Sequence, residues 1–313
     1  MENYFDVIVI GGGPAGLTSG IYLSRAKLKT LILNEGAAGG QMVLTHEVAN
    51  YPGIESISGY QLSRNMRKQA EKFGCLVKSN IKVTSLSLSN DVKSVEINGS
   101  ETFFAKSIIL ATGGKSRTIG AKGEETFKGK GISYCATCDG DFFQDKNIIV
   151  IGGGNSALEE AVSLTKFASS VTVVHQFDHF QAFESAVSEA KANPKINFIM
   201  ESEIQEFIGN EKLEKAIIKN MRTGEISTKE IDGAFILIGY VPNTESLKGI
   251  IELNNKNEII TNDLMETNIS GVFAAGDSRA KRYRQITTSV SDGTIAALSA
   301  ADYIEKQKEE ILV

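Results

Sequence analysis

The sequence predicts an α/β fold made of two units of the same design, with the second unit inserted into the first. A Gly-rich turn occurs twice, and each copy follows a short, apolar, β-branched run. Each copy also precedes a helical run and a second apolar run, and the copies begin about 141 residues apart, at Gly11 and Gly152. Because the whole pattern recurs, it indicates a duplicated architecture and not one accidental Gly-rich turn.

In the first copy, residues 7–10 predict a strand, residues 17–26 a helix and residues 30–33 a second strand. The turn before the helix has the spacing Gly-x-Gly-x-x-Gly. The first glycine permits a tight turn, the second lets the backbone approach a pyrophosphate, and the third lets the helix pack against the strand. An acidic residue after the second strand can bind both hydroxyls of a ribose. We therefore predict a dinucleotide site at Gly11, Gly13, Pro14, Ala15, Gly16 and Glu35.

The second copy repeats this order, with a strand predicted at residues 147–151, a helix at 158–167 and a strand at 171–174. Its turn ends in alanine, an accepted variant at the position where the helix packs against the strand. Amide groups at the start of the helix face the phosphates of a bound nucleotide. The predicted second nucleotide site consists of Gly152, Gly154, Asn155, Ser156 and Ala157, with His175 after the strand as a donor of one hydrogen bond.

Two apolar runs that end in glycine-containing segments mark where the chain passes between the units. Residues 107–110 lead into the first crossing at residues 111–114, and residues 234–238 lead into the return at residues 239–243. The predicted ranges are 1–114 for the first part of the outer domain, 115–245 for the inserted domain and 246–313 for the second part of the outer domain.

Between the two Gly-rich turns lies the motif Cys135-Ala136-Thr137-Cys138, which Asp139 follows. Two thiols at this spacing can form a small disulfide and open it again, which transfers two electrons. A zinc site would need two further ligands at paired spacing, and a haem attachment would need histidine after the second cysteine. The other possible zinc ligands show no matching spacing: Cys75, His46, His175 and His179. The motif therefore indicates a redox dithiol and no metal site.

The composition excludes several classes of function. The net charge is −5 and the sequence pI is about 5.5, without a stripe rich in lysine and arginine, so we expect no nucleic-acid partner. No apolar stretch approaches the roughly 20 residues of a membrane helix, and the chain enters its first strand without a secretion signal. Three cysteines do not make a disulfide framework, so we expect a cytoplasmic protein whose dithiol cycles.

Two further positions carry structural expectations. Cys75 begins an apolar strand and is predicted to be a buried structural thiol. The pair Gly276-Asp277 is predicted to open the C-terminal helix, where amides and a carboxylate can point at a cofactor. A Gly-Asp pair alone is more often a turn.

At this point the chain resembles a known family, the low-molecular-weight, bacterial-type thioredoxin reductases. The resemblance spans essentially the whole chain, and its many ordered motifs make it specific. The motifs stand at residues 11–16, 39–41, 47–53, 111–113, 135–140, 152–161, 274–277 and 283–285.

The resemblance implies two Rossmann-like nucleotide-binding domains of the three-layer ββα type. FAD would bind in the split domain, a pyridine nucleotide would bind in the inserted domain, and the chain would form a homodimer. The residues that the resemblance adds to the FAD site are Gly40, Gln41, Asn50, Thr112, Gly113, Gly276, Asp277, Arg284 and Gln285.

The family mechanism is also implied by resemblance. Hydride passes from the nicotinamide to the flavin, and the flavin reduces the disulfide between Cys135 and Cys138. Cys138 faces the flavin, Cys135 attacks the disulfide of a thioredoxin or thioredoxin-like protein, and Asp139 protonates a leaving thiolate. The inserted domain rotates between the two half-reactions about hinges near Gly113 and Gly239.

One segment departs from the family pattern. Members that use NADPH carry a His-Arg-Arg run and a further arginine where this chain has His175-Gln176-Phe177 and Gln181, and no arginine lies between residues 171 and 190. Each lost charge-assisted hydrogen bond is worth roughly 1.5–3 kcal/mol, so the loss of two or three removes on the order of 10³-fold of the preference for a 2′-phosphate. We therefore expect that the donor is NADH, or that NADPH, if used, binds poorly.

Two alternatives remain open. A reduced ferredoxin-type protein could supply the electrons to the flavin in place of a nicotinamide, although the intact second turn argues against it. A non-catalytic flavin-binding sensor is the alternative from another class, and the presence of both Cys135 and Cys138 argues against that.

Overall fold

The computed structural model describes residues 3–45 and 47–311, with side chains as far as residue 309. The chain divides into two compact units. The split unit comprises Met1–Lys115 and Val241–Val313, and the inserted unit comprises Ser116–Tyr240. The inserted unit lies within the predicted range 115–245, and the nucleotide-binding role of each range stays a prediction.

The first part of the split unit forms six strands and two helices. In chain order these are β1 (Tyr4–Ile10), α1 (Pro14–Arg25), β2 (Thr30–Asn34), α2 (Gly59–Lys72), β3 (Leu76–Ser79), β4 (Val83–Ser87), β5 (Lys93–Ile97) and β6 (Glu101–Leu110). A 3₁₀ turn at Gly40–Leu44 precedes α2. The first crossing contains β7 (Gly114–Ser116).

The inserted unit contains eight strands and four helices among its described elements. They are α3 (Glu124–Phe127), β8 (Ile132–Ser133), α4 (Ala136–Asp139), β9 (Asn147–Ile151), α5 (Asn155–Leu164), β10 (Ser170–Val174), α6 (Glu184–Ala192), β11 (Ile196–Ile199), β12 (Ser202–Gly209), β13 (Leu213–Asn220), β14 (Ile226–Glu230) and β15 (Gly233–Ile236). A 3₁₀ turn at Gly140–Phe143 follows α4. The return crossing contains β16 (Tyr240–Pro242), and a 3₁₀ turn at Glu245–Leu247 follows it. The second part of the split unit then adds β17 (Val272–Ala274) and α7 (Ile286–Ile311).

The sheet of the split unit has the order β3-β2-β1-β6-β5-β4, and β17 pairs with the C-terminal half of β6. Strands β3, β2, β1, β6 and β17 are parallel, whereas β4 and β5 continue the sheet antiparallel. Side chains of β1 alternate between two cores. Val7 and Val9 pack with α1, α2 and α7, and Ile8 and Ile10 pack on the opposite face.

The inserted unit repeats this plan. Its parallel sheet has the order β11-β10-β9-β15-β8, and a separate antiparallel sheet has the order β12-β13-β14. Ile148 and Val150 of β9 pack against α5 and α6, while Ile149 and Ile151 face the core that the antiparallel sheet shares. The predicted α/β fold class with two Rossmann-like units is confirmed.

The prediction for the C-terminal helix is wrong about where the helix begins. Gly276 has a φ of +80°, a left-handed conformation that does not continue into a helix, and α7 starts ten residues later, at Ile286. The turn is nevertheless tied to α7, because the amide of Gly276 donates to Asp292 Oδ2 at 3.1 Å.

Cys75 is 3% exposed and lies beside the start of β3, as expected for a structural thiol. Burial raises the pKa of its thiol to about 12. Within the part of the chain that the structure describes, no helix is both long and apolar enough to cross a membrane.

Candidate redox site and nucleotide-binding turns

The two cysteines of the CxxC motif form a disulfide in the inserted unit. The one-turn helix α4 begins directly after Cys135, and the amide of Cys138 donates to the Sγ of Cys135 at 3.2 Å. Both cysteines are half-buried and Thr137 between them is exposed.

Asp139 lies beside this disulfide and is mostly buried. Burial raises the pKa of its carboxyl, and the charge of Asp141 adds to the effect. The hydroxyl of Ser133 donates to Asp139 Oδ2 at 2.5 Å, which opposes the rise in pKa without cancelling it. The structure therefore brings the three predicted catalytic residues together, and it adds Ser133 at the end of β8, which the sequence did not single out.

The first Gly-rich turn joins β1 to α1 through close contacts of the backbone. Gly11 has a φ of +108°, and a Cβ there would lie 2.1 Å from the carbonyl oxygen of Ala111. A Cβ on Gly16 would lie 1.8 Å from the carbonyl oxygen of Gly11. A Cβ on Gly13, in contrast, would meet only the Cα of Gly40, at 3.9 Å. Gly11 and Gly16 are thus required by packing, while Gly13 borders open space.

A buried asparagine binds the backbone of the same turn. The side-chain oxygen of Asn34, the last residue of β2, accepts a hydrogen bond from the amide of Gly12 at 2.7 Å. Its side-chain amide donates to the carbonyl of Gly36 at 3.0 Å, next to the exposed Glu35. Asn34 therefore fixes both the turn and the segment that carries the predicted ribose ligand, and the sequence analysis missed it.

The other predicted FAD ligands lie on several loops of the split unit. Thr112 Oγ1 is buried and has no hydrogen-bond partner among the described residues. Asn50 donates to Gln285 Oε1 at 3.4 Å, and Arg284 forms an ion pair with Glu258. Gly40 and Gln41 are exposed at the start of the 3₁₀ turn, and Gly113 has a φ of +62° at the first crossing.

A network of charged residues holds the Gly276-Asp277 turn. Lys281 Nζ lies 3.1 Å from both Asp277 Oδ1 and Asp292 Oδ2, and Asp292 Oδ1 lies 3.5 Å from Arg279. Lys281 and Asp292 are largely buried, so each satisfies the charge of the other. Nothing in the sequence pattern indicates this network, because Asp292 lies on α7, 11 or more positions after the lysine and the arginine that it pairs with.

The second Gly-rich turn has similar geometry in the inserted unit. Gly152 has a φ of +140°, and a Cβ there would lie 2.5 Å from the carbonyl oxygen of Leu237. A Cβ on Gly154 would meet nothing closer than 3.9 Å. The side chain of Asn155 accepts a hydrogen bond from the amide of Phe183 at 2.7 Å, Ala157 is buried and Ser156 is exposed. In this turn too, packing requires a glycine at the first position, Gly152, whereas Gly154 borders open space.

His175, predicted to contact the second nucleotide, is 5% exposed. Its ring lies against Gly153, where an added Cβ would be 2.4 Å away, and its Nε2 lies 3.1 Å from the carbonyl oxygen of His179. Burial lowers the pKa of the His175 ring. Its role as a nucleotide ligand stays a prediction, whereas its packing beneath the turn is observed. The described residues contain no group that could hold a metal ion, and His46 lies outside them.

A family model described as pyridine nucleotide-disulphide oxidoreductase matches residues 5–293. The chain belongs to this family. It is 45% identical to a thioredoxin reductase of Peptoclostridium acidaminophilum, with 99% of this chain and 100% of the relative covered. It is 43% identical to a thioredoxin reductase of Listeria monocytogenes, with 99% and 97% covered.

The solved structure of thioredoxin reductase from Streptococcus pyogenes superposes with a TM-score of 0.94 at 41% identity, and 98% of this chain and 100% of that chain are covered. These matches confirm the resemblance to the bacterial-type thioredoxin reductases. Membership of the pyridine nucleotide-disulphide oxidoreductase family implies a flavin and a nicotinamide cofactor.

The contrast between Gly13 and Gly16 gives a matched pair of substitutions. Gly16→Ala forces a methyl group into the backbone of Gly11, so we expect a loss of about 1–3 kcal/mol or more in the free energy of unfolding. Gly13 has an ordinary φ of −76°, so Gly13→Ala leaves the fold intact and places the methyl group where a pyrophosphate would approach. Two measurements distinguish these effects. Thermal unfolding of the flavin-free protein reports its stability, and the ratio of flavin to protein after purification reports flavin binding. A Gly13→Ala variant that retains full flavin would contradict this account.

Proposed function

We propose that this protein passes electrons from a nicotinamide through FAD and the Cys135–Cys138 disulfide to a thioredoxin-like protein. The observation that carries the proposal is the half-buried disulfide beside Asp139, whose pKa is raised, in the unit that holds the second Gly-rich turn. The names of the relatives in Peptoclostridium acidaminophilum and Listeria monocytogenes support the choice of partner. The proposal includes a homodimer and a cytoplasmic location.

The family resemblance assigns a separate step to each cysteine of the dithiol. The Cys135 thiolate attacks one sulfur of the partner's disulfide, which forms a mixed disulfide and releases one thiolate on the partner. The Cys138 thiolate then attacks Cys135, which restores the Cys135–Cys138 bond and releases the second thiolate. Asp139 can supply a proton to a departing thiolate, since burial keeps its carboxyl protonated to a higher pH than an ordinary aspartate.

Several features of the split unit support the proposal that it binds FAD. Gly13 borders open space at the start of α1, where helix amides can face a pyrophosphate, and the buried Thr112 hydroxyl lacks a described partner. Asp277 follows the end of β17 by three residues and pairs with Lys281. Bound FAD would supply a two-electron carrier between the nicotinamide and the disulfide.

The loop after β10 supports NADH as the donor. Gln176, Phe177 and Gln181, which occupy the positions of the family's arginines, are all exposed. A hydrogen bond from His179 and the charge of that ring, and more weakly the charge of Arg222, lower the pKa of the exposed Asp178. The Asp178 carboxylate itself would repel a 2′-phosphate that approached it. Arg222 itself is paired with Glu201 at 3.3 Å.

Anaerobic titration of the purified flavoprotein tests the choice of donor. We expect NADH to bleach the flavin absorbance at far lower concentration than NADPH, because no arginine of the loop can pair with the 2′-phosphate. The double substitution Gln176→Arg and Gln181→Arg should raise the apparent affinity for NADPH by on the order of 10²-fold or more. Gln205→Arg adds one positive charge at an exposed position of β12, outside the loop, and serves as the control for each single substitution of the pair.

Each other outcome of that titration has a definite meaning. Preferential bleaching by NADPH would overturn the choice of NADH and would require other groups to hold the 2′-phosphate. If neither nicotinamide bleaches the flavin while a reduced ferredoxin does, the electrons enter from a protein donor.

Asp139→Asn tests the proton donor. Because burial raises the pKa of Asp139, its acid form persists above the usual range and is lost as the pH rises further. We expect the substitution to slow reduction of thioredoxin by roughly 10²-fold and to remove the alkaline decline that this group causes. The measurement is single-turnover oxidation of the prereduced enzyme by thioredoxin across pH.

Asp141→Asn provides the matched control, since it removes a neighbouring exposed carboxylate. It should retain the rate and move the alkaline decline to lower pH, because the charge of Asp141 contributes to the raised pKa of Asp139. Equal rates for the wild type and Asp139→Asn at neutral pH would exclude Asp139 as the acid.

A further inference from the structure

A second carboxylate contacts the redox turn, and neither the motif nor the family comparison assigns it a role. Glu160 lies on α5, the helix that starts at the second Gly-rich turn. Its Oε2 accepts a hydrogen bond from the backbone amide of Ala136 at 3.0 Å. Ala136 is the residue directly after Cys135, so this bond holds the backbone between the two cysteines.

The redox turn also makes apolar contacts with α5. Ala136 is 6% exposed and packs in one cluster with Ala157, Leu158 and Ala161 of α5. At the other end of the turn, a Cβ added to Gly140 would lie 3.1 Å from Leu164 Cδ2. Apolar contacts are not directional, so the bond from Ala136 to Glu160 supplies a defined orientation to this packed surface.

We propose that Glu160 is a positioning residue for the redox turn, which keeps Cys135 and Cys138 close enough to re-form their bond after the disulfide has been reduced. While the disulfide exists, it constrains the turn covalently. After reduction that constraint is gone, and the hydrogen bond to Ala136 and the packing against α5 remain. The proposal rests on the proposed redox function of the CxxC motif.

The physical consequence is a higher effective concentration of one thiol toward the other. In exchange with glutathione, the Cys135–Cys138 bond and two glutathione thiols are converted to the protein dithiol and one molecule of oxidised glutathione. A reduced turn that already holds the two sulfurs close together loses less conformational freedom when the disulfide forms. Loss of the amide contact therefore shifts this equilibrium toward the dithiol.

Charge must be separated from hydrogen bonding in any test, because several carboxylates lie near the turn. Burial, together with the charge of Glu159, raises the pKa of Glu160, and the bond from Ala136 opposes that rise. Asp139 and the exposed Asp141 follow Cys138. Glu160→Gln removes the charge and retains an oxygen that can accept from Ala136, whereas Glu160→Ala removes both. Asp141→Asn removes a nearby charge and no described bond to the turn.

The experiment is equilibration of the anaerobic flavoprotein in glutathione buffers of defined ratio, followed by acid quenching, alkylation and mass analysis of the tryptic segment 131–146, which contains both cysteines. We expect Glu160→Ala to lower the equilibrium constant for disulfide formation by about tenfold or more. Glu160→Gln should stay within about threefold of the wild type, and so should Asp141→Asn. Equal shifts in the two Glu160 variants, or no shift in Glu160→Ala, would overturn the proposal.

This equilibrium needs neither a nicotinamide nor a protein partner, so its outcome is independent of the proposed donor and substrate. A measurement on the wild type keeps the proposal testable if Glu160→Ala does not fold. Hydrogen exchange at the Ala136 amide should remain slow after the disulfide is reduced. Exchange at the rate of an unprotected amide in the reduced wild type would contradict the proposal.

Discussion

At each Gly-rich turn, two backbone segments lie closer together than any Cβ would allow, and the arrangement of the chain depends on these contacts. Gly11 lies against the carbonyl of Ala111, and Gly152 against the carbonyl of Leu237. Ala111 and Leu237 each follow the end of a sheet strand, and each lies within two residues of a glycine with positive φ at a crossing. The same contact therefore fixes both the Gly-rich turn and the place where the chain leaves the sheet for the other unit.

Two elements of the inserted unit, β8 and α5, hold the redox turn in place. Strand β8 belongs to the same parallel sheet as β9, the strand that leads into the second Gly-rich turn. Its last residue, Ser133, donates a hydrogen bond to Asp139. Helix α5 begins at that turn and contacts the CxxC backbone through Glu160. Residues that would bind a nucleotide and residues that hold the disulfide are thus carried by neighbouring elements of one core. Such placement is what a dithiol needs to keep its geometry through repeated opening and closing.

Local patterns predicted the fold and the chemical motif well. The strand at residues 147–151 coincides with β9, and the CxxC motif forms the expected disulfide, because spacing along the chain determines both. Sequence reasoning missed Asn34, Ser133, Glu160 and the pair of Lys281 with Asp292 because tertiary contacts bring each to its partner. The helix start predicted at Gly276 is wrong for a related reason: its left-handed backbone makes a turn that is fastened to α7 through Asp292.

The most direct test of the central claim is to count thiols after anaerobic reduction with one equivalent of NADH. The native protein is then treated with iodoacetamide at neutral pH and digested. We predict that Cys135 and Cys138 are both labelled and that Cys75 is not, since Cys75 is buried and the pKa of its thiol is raised to about 12. Flavin bleaching without labels on Cys135 and Cys138 would contradict the account, because the electrons would then have stopped before the disulfide.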